Sequence, residues 1–220
     1  MIATDDAIAL LRGLCEIYSP SGEEMAASEY LVRAMSSFGW RSYIDDAGNA
    51  VGVTGEGDRT LLFLGHLDTA PGFIPVRVDG GVLHGRGSVD AKGSIAAFVS
   101  ALALVTTRGR RLPFRVMVVG AVEEETDYSR GARHIRDSFA PGPDWCIIGE
   151  PSGCHSITLG YKGRLSAVAA VSGPEAHSAS GRSTAVERAV DLWRHIREYC
   201  CERSASGSGF DRVDVSLRDM

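Results

Sequence analysis

At 220 residues, 44% of them hydrophobic, the chain is long enough to bury a substantial core and to hold one large domain or a domain and a half. A net charge of −5, with no basic run beyond the loop cluster at residues 108–111, argues against nucleic acid as a partner. No apolar run reaches membrane-spanning length, the first six residues lack a signal peptide's basic start, and the five cysteines form no Cys-x-x-Cys pair, so a protein of the reducing cytoplasm is expected.

Thr4 or Asp5 can cap a helix through residue 18 whose apolar face is Ile8, Leu11, Leu14 and Cys15. Ser21 to Glu24 has capping-box spacing for a second helix ending at Phe38, before Gly39. Short strands at 40–44 and 50–54 flank the turn-rich Asp45-Asp46-Ala47-Gly48-Asn49. The apolar run Leu61-Leu62-Phe63-Leu64 then reads as a buried strand that delivers His66 at its carboxyl end, where open α/β sheets bind ligands. A hairpin around Asp79-Gly80-Gly81 hands the chain to a glycine-rich loop, 85–93, and to a helix over 94–105. Apolar strands at 114–122 and 145–148, with a helix over 129–139 between them, end in Glu123-Glu124-Glu125 and in Gly149-Glu150.

Strands alternating with helices imply an α/β fold with a mostly parallel sheet, so three strand ends should share one edge. His66, the glutamate run and Glu150 are therefore expected in one cleft, joined by Asp90 from its loop. Asp68 can reach back to the ring nitrogen of His66 that does not face the cleft and set its tautomer. One histidine among several carboxylates suits Zn²⁺, Co²⁺ or Mn²⁺. More acids gather than one ion needs. Two ions bridged by Asp90 would use them, with a spare glutamate as general base towards an attacking water. Singly, each acid reads equally well as a solvated strand cap.

These motifs carry a resemblance. Gly-His-Leu-Asp-Thr, Gly-Arg-Gly-Ser-Val-Asp-Ala-Lys-Gly, Val-Glu-Glu-Glu and Ile-Gly-Glu-Pro-Ser follow one another as in the M20 family of dinuclear zinc peptidases and deacylases. Within it the chain resembles the branch of LysW-lysine/ornithine hydrolases and acetyl-lysine deacetylases. The likeness continues through Gly160-Tyr161-Lys162-Gly163 to His177-Ser178-Ala179. It implies that His66, Asp90 and Glu150 hold one zinc, Asp90 and Glu125 the other, that Glu124 is the base and that Asp68 orients His66. Glu123 as base with Glu124 as ligand is the alternative register.

The resemblance also implies two domains, a catalytic part at 1–153 and the start of a smaller α/β lid at 154–220 through which a homodimer forms. The lid is read as strands at 155–160, 163–172 and 210–217 around a helix over 184–200 with Val186, Ala189, Val190, Trp193 and Ile196 on one face. His177 would stabilise the oxyanion across the dimer. Family members continue further and add another histidine ligand, so a fragment or a truncated chain is expected, with a first metal held better than the second. The implied substrate is an acylated amino acid or an amino-group carrier protein bearing lysine or ornithine. Acetylornithine deacetylase, succinyl-diaminopimelate desuccinylase and a dipeptidase are the nearest alternatives, and a metal-binding or dimerising fragment without turnover is the alternative of another class.

Overall fold

Period-two alternation of apolar residues lets one sheet bury both of its faces. In a computed structural model, which describes residues 4–174, 181–204 and 209–218, seven strands form: β1 (Arg41–Ile44), β2 (Ala50–Thr54), β3 (Thr60–His66), β4 (Arg77–Asp79), β5 (Val82–His84), β6 (Arg115–Ala121) and β7 (Trp145–Ile148). The main sheet runs β1-β2-β6-β3-β7. β3 pairs in parallel with β6 and β7, while β2 is antiparallel to both β1 and β6. Val116 and Val118 of β6 face a core built with α1 (Thr4–Glu16), α2 (Met25–Ser37) and α3 (Lys92–Thr106). Met117, Val119 and Ala121 face the opposite core, closed by Ile135 of α4 (Arg130–Ser138). The result is a three-layer α/β sandwich with the site at one end of the sheet.

Two paired glycines, Gly65 of β3 and Gly120 of β6, let neighbours approach the sheet next to that end. A Cβ on Gly120 would lie 2.7 Å from Leu31, and one on Gly65 would lie 2.8 Å from Ile95. The β4-β5 hairpin closes through Gly80-Gly81, both at positive φ, the backbone of a tight two-residue turn.

Several expectations need correction. Ile8 points outward and Leu10 takes its place beside Leu14, because α1 presents a different stripe to its neighbours α2 and α3. The Ser21 to Glu24 spacing makes no side-chain cap on α2. α3 begins earlier than residue 94, at Lys92. β7 is an edge strand whose Trp145, Ile147 and Ile148 are exposed.

The chain divides into two compact units, Met1–Gly153 and Cys154–Met220. In the second, α5 (Ala185–Ser204) forms with a capping box, Thr184 and Glu187 bonding each other's amides. The strands expected at 155–160, 163–172 and 210–217 do not form among the described residues; a short 3-10 turn, Gly209–Asp211, occupies the start of the last. Alternating apolar residues become a strand only against a partner's backbone, and Leu159, Leu165 and Val168 are almost fully exposed. The α5 face is also largely open, with Val186, Val190 and Ile196 exposed. No helix among the described residues is long and apolar enough to cross a membrane.

Candidate metal centre

Because β3, β6 and β7 are parallel, their carboxyl ends lie on one edge. His66 closes β3 opposite Ala121, the glutamate run leaves β6, and Glu150 follows β7. Asp90 arrives from the glycine-rich loop just before α3. His66 Nε2 lies 3.1 Å from Asp90 Oδ1 and 3.9 Å from Glu124 Oε2. Ligand atoms of His66, Asp90 and Glu150 all fall within 4.8 Å of one another. The histidine is buried, Glu150 is half-buried and Asp90 is exposed, so the group opens to solvent on one side.

Asp68 is fully buried and holds this arrangement together. His66 Nδ1 sits 2.9 Å from the Asp68 main-chain carbonyl and 3.3 Å from its Oδ1, which leaves Nε2 to face the acids. The Asp68 carboxylate also accepts the Ser21 hydroxyl at 2.7 Å and the amides of Glu124 and Glu125 at 3.0 and 2.9 Å. Burial works to raise its pKa, but the bonds from His66, Ser21 and the two amides outweigh it and hold the carboxyl below its ordinary value.

His66 shows the opposite balance. Burial alone would lower its pKa, yet the Asp68 hydrogen bond and the charges of Asp68, Glu124 and Glu150 lift it to about 9. The carboxyls of Glu124 and Glu150 are pushed up by burial, against the pull of His66 and with the help of neighbouring acids. A ring that takes a proton so readily, among acids that resist ionising, is a site short of positive charge. One nitrogen and two carboxylates leaving a free side are a donor set that fits a divalent ion of the zinc type.

The glutamate run is divided by its backbone. Glu123 has φ +54°, and its carboxylate turns away to Arg130 Nε at 2.8 Å. Glu124 faces His66. The Glu125 side chain is exposed and stands outside the group of three. His177 lies outside the described residues.

Sequence reasoning missed several supports. Lys92, nearly inaccessible, donates through Nζ to the carbonyls of Leu14 and Ile17 at 2.9 and 2.8 Å, tying the Asp90 loop to the end of α1. Burial pushes its pKa down to about 8, against the charges of Cys15 and Asp68. Buried Asn49 accepts the Val122 amide through Oδ1 and fixes the end of β6. Buried Glu24 accepts the Glu123 amide. The one signal for Glu24 was the Ser-x-x-Glu spacing, which pointed to a helix cap.

Residues 62–215 match the model of peptidase family M20/M25/M40. The chain is similar to a "[LysW]-lysine hydrolase" of Deinococcus radiodurans, 44% identical over all of this chain and 62% of the relative. It is 42% identical to a "putative [LysW]-lysine/[LysW]-ornithine hydrolase" of Thermococcus kodakarensis, across all of this chain and 59% of that one. The chain thus spans about three fifths of the length of these curated relatives. Among solved structures, human carnosine dipeptidase 1 superposes with a TM-score of 0.58 at 22% identity, covering 66% of this chain and 38% of that one, a likeness of fold.

Proposed function

Because this chain belongs to peptidase family M20/M25/M40, we propose that it serves metal-dependent hydrolysis of the amide joining lysine, ornithine or a related amino acid to an acyl group or a carrier protein. The observation that carries the reading is the convergence of His66, Asp90 and Glu150 beside the Glu124 carboxylate.

In this reading His66, Asp90 and Glu150 would hold one ion, Zn²⁺ or alternatively Co²⁺ or Mn²⁺, and Asp90 with Glu125 would hold a second. An ion bound there supplies Lewis acidity, polarising the amide carbonyl and making a nearby water acidic. Glu124, whose pKa is raised by burial, takes the proton of the attacking water at Oε2 and passes it to the leaving amine. Asp68 keeps the His66 proton on Nδ1. His177 serves the oxyanion across a homodimer formed through residues 154–220. The names of the relatives, hydrolases of LysW-lysine and LysW-ornithine, support lysine or ornithine in LysW-linked form as substrate; the carrier-protein form and a cytoplasmic setting belong to the proposal. Free acylated amino acids, as used by acetylornithine deacetylase or succinyl-diaminopimelate desuccinylase, and dipeptides are the nearest alternatives.

A second reading, a metal-binding unit without turnover, draws on the exposed Glu125, which leaves the second ion with weak holders. One experiment separates the two. The 220-residue chain and its Glu124→Gln and Glu123→Gln variants are dialysed against zinc and assayed for lysine release from acetyl-lysine and from lysine-loaded carrier protein. About one tightly held zinc per chain is expected, from three protein ligands and one open position. Glu124→Gln should retain it and lower lysine release by about 10²- to 10⁴-fold, the usual weight of a general base. A zinc-loaded wild type that releases no lysine supports the second reading. Retained metal with lost turnover in Glu123→Gln, and lost metal in Glu124→Gln, would reverse the register of the run.

A further inference from the structure

Three consecutive amides leaving β6 are caught by two buried carboxylates. The Glu123 amide donates to Glu24 Oε1 at 3.0 Å, the Glu124 amide to Asp68 Oδ1 at 3.0 Å and the Glu125 amide to Asp68 Oδ2 at 2.9 Å. Both carboxylates are themselves gripped by the turn at residues 19–24. Ser21 donates its hydroxyl to Asp68 Oδ2 at 2.7 Å, and the Gly22 amide donates to Glu24 Oε1 at 2.8 Å. The turn is stitched to the chain around Asp68, since the Thr69 amide bonds the Ser19 carbonyl and the Ser19 hydroxyl bonds the Leu67 carbonyl.

This clamp acts where the backbone needs holding. Glu123 stands at φ +54°, a left-handed conformation that a residue with a β-carbon disfavours. Its own carboxylate has left for Arg130, so it cannot hold the bend. The residue that follows the bend, Glu124, is the one whose carboxylate lies 3.9 Å from His66 Nε2.

We propose that Ser21 and Glu24 are positioning residues of the metal centre: they fix the buried carboxylates that catch the amides of Glu123, Glu124 and Glu125, and so aim the Glu124 carboxylate at His66. The inference rests on the reading of His66, Asp90 and Glu150 as ligands and of Glu124 as base. Glu24 makes both of its bonds through one oxygen. A glutamine there keeps the acceptor, and an alanine removes it.

The test uses the 220-residue chain with Ser21→Ala, Ser21→Thr, Glu24→Ala and Glu24→Gln. Exchange of the amides of Glu123, Glu124 and Glu125 is followed by NMR without metal, and Co²⁺ affinity by visible absorption against a competing chelator. Glu24→Ala should speed exchange at Glu123 about tenfold or more, the loss of one well-made bond. Both alanine variants should weaken Co²⁺ binding by roughly three- to tenfold, less than the about 10- to 100-fold of a group bonded directly to a metal ligand, because Ser21 and Glu24 act one step further out. Glu24→Gln and Ser21→Thr should restore both readouts, which a merely structural role would not require. Should Glu24→Ala fail to fold, the Ser21 pair carries the comparison. Unchanged exchange in the alanine variants overturns the clamp, and faster exchange with unchanged Co²⁺ affinity overturns its positioning role. If the wild type takes up no Co²⁺, the metal reading falls, while amide exchange still decides whether the clamp exists.

Discussion

Two stretches of this chain are spelled alike and behave differently. Thr184-x-x-Glu187 forms a reciprocal capping box: the Thr184 hydroxyl accepts the Glu187 amide at 3.2 Å, and the Glu187 carboxylate accepts the Thr184 amide at 2.7 Å. Ser21-x-x-Glu24 has the same spacing before α2 and makes neither bond. Its hydroxyl goes to Asp68, 47 residues away, and its carboxylate to the amide of Glu123, 99 residues away. A local hydrogen-bond pattern is honoured where nothing competes for the groups, and is overruled where buried partners need them more. Helix α2 can begin without a cap because Ala27, Ser28, Leu31 and Met35 anchor it in the core. Helix α5, with only Cys200 buried among its described residues, has little besides its own ends.

The comparison breaks most severely at Asp68, the group that draws Ser21 away from its helix. Asp68→Ala removes the acceptor for the Ser21 hydroxyl and for the amides of Glu124 and Glu125, and frees one face of His66. Breaking a buried charged network of this kind costs about 3–5 kcal/mol. Zinc affinity should fall by about 10- to 100-fold, as for the loss of an outer-shell partner. Urea unfolding and chelator competition measure the two effects. Asp68→Asn keeps one acceptor oxygen and should lie between; if Asp68→Ala unfolds and binds zinc like the wild type, Asp68 is not what diverts Ser21.

The same contrast explains how far the sequence could be read. The strands that deliver His66, the glutamate run and Glu150 were legible because continuous apolar runs end in polar residues at each, and Gly80-Gly81 marked its hairpin. Ser21, Glu24, Asn49 and Lys92 were not legible as site supports, since each acts on backbone groups far along the chain and no spacing rule records those distances. In the second unit the misreading ran the other way. Alternation at 155–160 and 163–172 satisfied the local rule for strands, but a ladder also needs an edge to pair with.

Burial of charge sharpens the comparison through pH. In the metal-free chain the His66 pKa stands at about 9, above the ordinary 6.5, so its stabilising contribution is complete below pH 6.5 and disappears as pH rises through 9. Lys92 has the opposite sign: its pKa of about 8 lies below 10.5, so its buried charge opposes folding below pH 8 and the penalty lifts towards pH 10.5. Stability in urea should therefore fall from pH 6.5 to 8, by at most about 1.4 kcal/mol per pH unit, level off near pH 8 to 9, and recover above. If His66 is a ligand, as proposed, metal binding displaces its proton, so zinc affinity should climb up to about tenfold per pH unit until pH 9. Titration calorimetry in two buffers of different ionisation heat would register about one proton released per ion at neutral pH. A flat affinity profile would mean that His66 is not a ligand.

The smallest effect is the most direct test of why the two stretches differ. Thr184→Ala removes the hydroxyl that accepts the Glu187 amide, and α5 has few buried contacts to compensate. Exchange at that amide should quicken by roughly two- to tenfold, in keeping with the modest worth of one helix cap. Ser21→Ala is the matching substitution before α2, and it should leave exchange in the first turn of α2 unchanged, because Ser21 caps nothing there. The Ser28 amide keeps its bond to the Glu24 carbonyl at 2.9 Å whatever the Ser21 side chain does. Equal fraying in both helices would mean that Ser21 caps α2 after all, and that its bond to Asp68 is secondary. Fraying at Thr184 alone would show that a helix anchored in the core can lend its capping residues to a site, and that an exposed one keeps them.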